Sequence, residues 1–272
     1  MSTLFTIPIP PLGAHPGGTV VCTSPAPQVY LLTITSPPDN RLTTVSCAAI
    51  LDALDLLEFG GYKPGVVLTT SGIPKFYSNG LDLEHAMATE SFMPHSLYKL
   101  FNRFLTYPMP TIALLNGHAF AGGLMLAMHH DYRVMNPEKG FICINELDFG
   151  VPLKPAMSSI FRIKTTPQTY RTLVLEAHRF SGKAAAEAGL VDITGGLDEA
   201  LALIKTRKLT EKAKTGIYGL MKIEMYRESI ALLSPEGHAR EEEGVLGIME
   251  SEDARKEAGE KRVAEIKSKA RL

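Results

Sequence analysis

The chain has 272 residues, of which 45% are hydrophobic and 21% charged, and its formal net charge is −1. This composition is ordinary for a globular protein, and the length allows one large domain or two small ones. A net charge close to zero gives no general attraction for nucleic acid or anionic membranes, and no apolar run approaches the roughly 20 residues that span a bilayer. We therefore expect neither a nucleic-acid nor a membrane partner.

The cysteines indicate free thiols. Cys22, Cys47 and Cys143 are an odd number and lack metal-ligand spacing, which favours a reducing compartment and no metal site. The N-terminus has no basic leader before an apolar stretch, so we expect no secretory signal. Cys143 lies close to Glu146 in sequence, but its apolar neighbours predict packing and not a nucleophile.

The first predicted elements follow a proline-rich beginning. Residues 1–28 predict an irregular N-terminal arm, with a short strand near 19–22 as an option. Next come a strand over Val29–Thr35, a helix over 48–59 with leucines at helical spacing, and a buried strand over 66–70.

Strands and helices then alternate. The predicted strands are Thr111–Leu115, Tyr132–Met135 and 141–144, and the predicted helices are 95–106, 121–129, 166–176 and 183–188. From about residue 197 the pattern is almost entirely helical, with a break at 234–237. Such alternation predicts an α/β fold with mainly parallel strands. We divide the chain into the arm (1–28), a core (29–196) and a C-terminal helical region (197–272) that caps the core or mediates oligomerisation.

Two glycine-bearing turns, 76–82 and 116–123, each follow an apolar strand. Backbone N–H groups at a strand-to-helix turn lack intrahelical partners, so they can hold an anion. Gly122 falls at a helix start, and Gly80 permits a sharp bend before Leu81. Two such donors aimed at a thioester oxygen would stabilise an enolate. The alternative is that the small residues exist only because the chain must turn.

Glu146 is the candidate acid or base. It follows the apolar strand 141–144 and precedes further apolar residues, a setting that raises the pKa of a carboxyl group toward the range useful for proton transfer. A strand-end glutamate facing water is the alternative. Asp82 and Glu84 are rival acids, although Asp82 is placed to cap the next helix, and His118 fits a hydrogen-bonded structural histidine.

Together these segments resemble the crotonase superfamily, the enoyl-CoA hydratase/isomerase family. The resemblance covers about 29–192 and is strongest in 76–82, 116–131 and 145–152, with support from 181–192. It implies a spiral of ββα units, an acyl-CoA ligand, and a homotrimer or a dimer of trimers. By position it implies that the N–H groups of Leu81 and Gly122 form the oxyanion hole. The substrate-binding residues that it implies are Ser78, Asn79, Gly80, Phe120, Gly123, Met125 and Phe149.

One departure separates the subclasses of this family. Hydratases carry a glutamate two residues beyond the small-residue triplet 121–123 and a second in the later loop, whereas this chain has Met125 and Glu146. The remaining glutamate is the one that the Δ3,Δ2-enoyl-CoA isomerases use, and 145–152 resembles the peroxisomal, plant-type isomerases. The resemblance therefore implies conversion of 3-enoyl-CoA to trans-2-enoyl-CoA in fatty-acid oxidation, with Glu146 as proton shuttle. No metal or redox cofactor is required, since CoA arrives with the substrate.

The C-terminal tripeptide Ala270, Arg271 and Leu272 resembles the Ser-Lys-Leu peroxisomal address. It predicts binding by the peroxisomal import receptor and a peroxisomal location. The alternative is an ordinary solvated tail.

Two other functions remain open. Hydration or another CoA-ester reaction is possible because one fold supports many chemistries. A non-catalytic acyl-CoA-binding subunit is the third hypothesis.

Overall fold

The computed structural model describes residues 2–270, and of Ala270 only the backbone. Within these residues, eleven strands form two sheets, and helices cover them. The strands are β1 (Thr3–Ile9), β2 (Gly18–Ala26), β3 (Val29–Thr35), β4 (Val66–Ser71), β5 (Phe76–Ser78), β6 (Thr111–Leu115), β7 (His118–Phe120), β8 (Tyr132–Met135), β9 (Phe141–Cys143), β10 (Phe180–Ser181) and β11 (Ile193–Thr194). The α-helices are α1 (Thr44–Phe59), α2 (Leu83–Ala88), α3 (Tyr98–Thr106), α4 (Gly122–His129), α5 (Pro155–Lys164), α6 (Pro167–Leu175), α7 (Gly182–Glu187), α8 (Leu197–Thr206), α9 (Leu209–Lys212), α10 (Tyr218–Met225), α11 (Arg227–Leu232) and α12 (Pro235–Ala270).

The larger sheet confirms the α/β prediction. Its order is β1-β2-β3-β4-β6-β8-β11, and every pair from β3 to β11 is parallel. β4 and β6 are buried along their whole length, as expected for parallel strands that helices cover on both faces. The sheet therefore carries the main hydrophobic core on one face and a second cluster, which includes α8, on the other.

The N-terminal arm is not irregular, which corrects the prediction for residues 1–28. β1 and β2 form an antiparallel hairpin, and β2 continues into β3 in the same sheet. Pro8 is accommodated because β1 is the edge strand, where a missing N–H costs no ladder hydrogen bond. Pro25 lies where the register between β2 and β3 shifts, another position at which a strand accepts proline. The prolines mark an edge and an irregularity, and not a loop.

The smaller sheet brings the three predicted functional segments together. Its order is β10-β9-β7-β5, and the pairs β5–β7 and β7–β9 are parallel. Parallel strands end at the same edge of a sheet. The segments that follow these strands, with Leu81 after β5, Gly122 after β7 and Glu146 after β9, therefore meet at one edge.

Helix α4 leads from this edge into the core. All of its residues are buried, so it is apolar on every side, as expected of a helix inside a protein. At its far end Lys164 Nζ donates to the carbonyls of Met128 (2.7 Å) and His130 (2.6 Å). The last carbonyls of a helix have no intrahelical partner, and Lys164 supplies donors for them. Both ends of α4 are thus fixed, and its N-terminus cannot drift from the β7 turn.

The C-terminal region is helical, as predicted. The break predicted over 234–237 is shorter than expected, because the next helix already begins at residue 235. Pro235 is already the first residue of α12, a position where proline loses no hydrogen bond. Helix α12 has 36 residues and is therefore about 54 Å long. Arg271 and Leu272 of the C-terminal tripeptide lie outside the described residues. No helix between residues 2 and 270 has both the length and the apolar composition needed to cross a membrane.

Candidate active site

A cavity of about 520 Å³ opens at the edge where the three parallel strands end. Glu146, Leu81, Asn79 and Phe149 lie in its wall. The other lining residues are His15, Pro38, Asp39, Arg41, Asp82, Leu83, Ala121, Asn145 and Val151. Its volume falls in the usual range for small-molecule sites, about 300–1,000 Å³.

The two predicted donors, Leu81 and Gly122, are neighbours. A Cβ built on Gly122 would lie 3.4 Å from Leu81 N, and one built on Gly80 would lie 3.1 Å from Gly122 N and 2.8 Å from the Phe120 carbonyl oxygen. Gly80 also has a φ of +81°, which favours glycine. Both glycines are therefore required for the close approach of the two turns. Within residues 2–270, neither the Leu81 N–H nor the Gly122 N–H donates a hydrogen bond.

The loop that carries Leu81 is held on both sides of the Gly80–Leu81 peptide. The Leu42 N–H donates to the Gly80 carbonyl at 2.8 Å. The Arg41 Nη1 donates to the carbonyls of Asn79 (3.0 Å) and Leu81 (2.9 Å), while its Nε donates to Asp39. Sequence reasoning missed Arg41, because nothing in the pattern after β3 indicates that it reaches a turn 40 positions later. These contacts preorganise the Leu81 donor.

Ala121 fixes the second turn. Its φ is +47°, a conformation that costs a residue with a side chain of order 1–3 kcal/mol. Its N–H donates to the Cys143 carbonyl at 3.0 Å, and its carbonyl accepts from the Met125 N–H in α4. The strained residue thereby connects β9, which precedes Glu146, with the helix that begins at Gly122.

Glu146 has the environment expected of a proton-transfer group. Its Oε2 is buried and has no hydrogen-bond partner among the described residues. Burial raises the pKa of the Glu146 carboxyl above its usual value, because the charged form loses solvation. A buried carboxylate oxygen without a partner is costly for stability. Its place in the cavity wall favours the functional interpretation over a strand-end glutamate facing water.

The rival groups have other roles. Asp82 caps α2 by accepting from the His85 N–H at 2.9 Å, as predicted, and this bond lowers the pKa of its carboxyl group. His118 accepts from the Phe141 N–H at 3.0 Å and is structural, also as predicted. Burial raises the pKa of the Cys143 thiol to about 12, so this thiol is not a nucleophile at neutral pH. Glu84 is exposed and does not line the cavity.

The other predicted substrate-binding residues fall into two groups. Asn79 and Phe149 line the cavity, whereas Ser78, Gly80, Phe120, Gly123 and Met125 do not. The Ser78 hydroxyl donates to the Asn40 carbonyl at 2.8 Å, and a Cβ on Gly123 would lie 2.3 Å from the Ser78 carbonyl oxygen. Ser78 and Gly123 therefore support the two turns through contacts with neighbouring backbone and do not face the cavity.

Two bulky predicted residues lie away from the cavity wall. Phe120 packs against Phe76 and His118, with ring centroids 6.3 Å and 4.8 Å away. Met125 is 1% exposed and belongs to the main core. The position two residues beyond the triplet 121–123, where the resemblance places the first glutamate of a hydratase, is thus an apolar, buried side chain of α4.

Comparison with known proteins shows what the chain as a whole is similar to. A family model for enoyl-CoA hydratase/isomerase matches residues 26–261. Two Arabidopsis thaliana proteins, enoyl-CoA delta isomerase 3 and the peroxisomal enoyl-CoA delta isomerase 2, are each 31% identical to the chain. The alignments cover 74% and 77% of this chain and 90% and 93% of those proteins.

The fold has solved counterparts. An apo enoyl-CoA isomerase structure from Mycobacterium tuberculosis matches with a TM-score of 0.68 over 79% of this chain and 93% of that one. Its sequence identity is 22%, so this likeness concerns the fold alone. The family model, which matches most of this chain, and the two plant relatives, each covered over most of its length, show that the chain belongs to the enoyl-CoA hydratase/isomerase family of enzymes.

Proposed function

We propose that the protein is a Δ3,Δ2-enoyl-CoA isomerase that converts 3-enoyl-CoA esters to trans-2-enoyl-CoA. The Glu146 carboxylate removes a proton from C2, and the electrons of the broken C–H bond form a dienolate whose negative charge lies on the thioester oxygen. The N–H groups of Leu81 and Gly122 hold that oxygen. Protonated Glu146 then delivers the proton to C4 on the same face, so the carboxylate is regenerated and no other reactant is consumed.

The observation that carries this proposal is the unpaired, buried Oε2 of Glu146 in the wall of the cavity that Leu81 also lines. The other two acids of the wall have charged or N–H partners on other residues, and the described part of the chain offers the Glu146 carboxyl group none. Asp39 has one buried oxygen without a partner, but its other oxygen accepts from Arg41 Nε at 3.1 Å and from Asn79 Nδ2 at 2.6 Å. Asp82 accepts from the His85 N–H at 2.9 Å. Glu146 is therefore the wall acid best placed to exchange a proton with a ligand. A base with a pKa closer to the working pH also transfers protons more efficiently.

Met125 favours isomerisation over hydration. Adding water across a double bond requires one group to activate water and benefits from another to protonate carbon, and a thioether does neither. Met125 is also buried in the core, so it leaves no room for water at this point of α4. A double-bond shift needs one carboxylate only, and the chain supplies one at the corresponding place.

We further propose that the enzyme acts in peroxisomal fatty-acid oxidation. The support is the similarity to a relative that is named peroxisomal. We also propose that it binds the peroxisomal import receptor through Ala270, Arg271 and Leu272 and works as a homotrimer or a dimer of trimers. CoA enters as part of the substrate, and no separate cofactor is needed.

The absorbance of the conjugated thioester separates the candidate functions. With a 3-enoyl-CoA substrate, isomerisation creates the conjugated product and absorbance rises. With a trans-2-enoyl-CoA substrate, hydration removes the conjugation and absorbance falls. The proposal predicts a rise in the first assay at a rate well above any fall in the second. A fall in the second without a rise in the first would make the protein a hydratase, and acyl-CoA binding without either change would make it a non-catalytic subunit.

A further inference from the structure

The turn between β1 and β2 forms part of the cavity wall. It is closed by reciprocal backbone hydrogen bonds between Leu12 and His15, 3.0 Å and 2.9 Å long. Gly17 has a φ of +85°, and a Cβ there would lie 2.5 Å from the Ile9 carbonyl oxygen. The turn is thus held in one shape, and this shape places His15 in the wall beside Asp82.

His15 contacts Asp82 directly. Its Nε2 lies 2.6 Å from Asp82 Oδ2, while Oδ1 accepts from the His85 N–H at 2.9 Å. The bond to the His85 N–H, together with His15, keeps the pKa of the Asp82 carboxyl below its usual value, so the group is a carboxylate at neutral pH. A carboxylate only accepts hydrogen bonds, and therefore Nε2 of His15 carries the proton and donates it.

The negative charge of the Asp82 carboxylate would slow the proposed reaction if it turned toward the thioester oxygen. Asp82 follows Leu81 directly and lines the same cavity. A negative charge that turned toward the thioester oxygen would oppose the charge that develops there in the transition state. The His85 N–H holds one carboxylate oxygen, and His15 is the only basic side chain within hydrogen-bond distance of the other among residues 2–270.

We propose that His15 is a positioning residue that holds the Asp82 carboxylate away from the oxyanion hole and partly offsets its charge. This inference rests on the proposed isomerase function. His15 lies before the residues that the family model matches, 26–261, so that match assigns it no role. The N-terminal hairpin is accordingly part of the active site as well as an edge of the sheet.

The first test is the His15→Ala variant with 3-enoyl-CoA. Since the effect falls on the charged transition state, kcat should drop about tenfold while KM changes less than about twofold. His15→Gln, whose amide can donate to the same oxygen, should recover most of this loss. Ala14→Ser, an exposed change in the same turn, should keep the wild-type kcat.

A double-mutant cycle separates positioning from general structural damage. With Asp82→Asn there is no charge to hold, so adding His15→Ala should change kcat less than about twofold. Two results would overturn the role of His15. One is an equal loss of kcat when His15→Ala is added to wild type and to Asp82→Asn. The other is a loss of kcat that parallels a lowered Tm and that His15→Gln does not recover. Wild-type turnover with an unaffected His15→Ala variant would remove this inference alone. Absence of wild-type isomerisation would remove the proposed function and this inference with it.

Discussion

Gly122 lies against Leu81 so closely that a Cβ on the glycine would be 3.0 Å from Leu81 Cδ2 and 3.4 Å from Leu81 N. The contact joins the turn after β5 to the first residue of α4. Neither N–H group has an acceptor among the described residues. The contact therefore places two adjacent backbone donors that are free to bind a ligand. An oxyanion hole needs this combination of fixed position and free hydrogen-bonding capacity.

Gly122→Ala should therefore impair catalysis with little effect on folding. The added methyl group must displace Leu81, and misplacing one oxyanion donor is expected to lower kcat about 10- to 100-fold. Steady-state kinetics with 3-enoyl-CoA would measure this. Gly244→Ala in α12 is the matched control, because a Cβ there meets nothing within 4 Å. Wild-type kcat in Gly122→Ala would show that this donor is not used.

Arg41→Met should also lower kcat, by about tenfold, because the carbonyls of Asn79 and Leu81 lose the donor that holds their loop. Methionine keeps much of the side-chain length without the guanidinium. The comparison variant is Arg179→Met, which removes an exposed guanidinium near Phe120, outside the cavity wall. Unchanged kcat with a raised KM would indicate that Arg41 contributes to binding and not to the oxyanion hole.

Met125 should matter for packing and not for proton transfer. Met125→Leu preserves volume and should keep kcat within about twofold at a cost below about 1.5 kcal/mol in the free energy of unfolding. Met125→Ala should lose about 2–5 kcal/mol through the cavity it leaves. Denaturant titration would measure both, with Met87→Ala, at an 82% exposed site, as the control expected to stay within about 0.5 kcal/mol. Abolished catalysis in a stable Met125→Leu variant would contradict this account.

Glu146→Gln should stabilise the protein at neutral pH. Burial raises the pKa of Glu146 in the folded state above its ordinary value of 4.5, so the folded protein binds more protons than the unfolded chain between these two pKa values. Stability therefore falls as pH rises through that window, by about 1.4 kcal/mol for each pH unit that separates the folded and unfolded pKa values. Thermal unfolding should show Glu146→Gln above wild type at pH 7, with the difference lost below pH of about 4. A destabilised Glu146→Gln at pH 7 would contradict a Glu146 carboxylate that is held in the wall with its buried Oε2 unsatisfied.

The segments that carry Leu81, Gly122 and Glu146 could be anticipated because each follows a predicted apolar strand. The short strands β5 and β7, which bring the first two to the common edge, lie inside the predicted turns 76–82 and 116–123 and are not among the predicted strands. Once such strands are parallel, their carboxyl ends must coincide. The predictions for β6 and β8 are confirmed at both ends, because short, mostly apolar runs bounded by turn residues leave little choice of strand limits. What this reasoning could not supply is the division of the strands between two sheets.

The contributions of His15 and Arg41 could not be predicted from the sequence. His15 contacts Asp82 and Arg41 contacts Leu81, in each case a residue far away in the sequence. Such single hydrogen bonds produce no repeating pattern in the sequence from which they could be predicted. The hairpin that carries His15 was also hidden, because Pro8 and Pro25 lower the strand signal without preventing an edge strand. Long-range polar contacts are thus the part of the site that only the three-dimensional structure reveals.

The most direct test of the central claim is the rate of absorbance increase with 3-enoyl-CoA for wild type and Glu146→Gln, beside Glu84→Gln as an exposed-acid control. The glutamine fills the same space but cannot accept the C2 proton. We expect absorbance to rise with wild type and Glu84→Gln, and Glu146→Gln to lose nearly all turnover while it still binds acyl-CoA. Isomerisation by Glu146→Gln at a rate close to that of wild type would contradict this expectation.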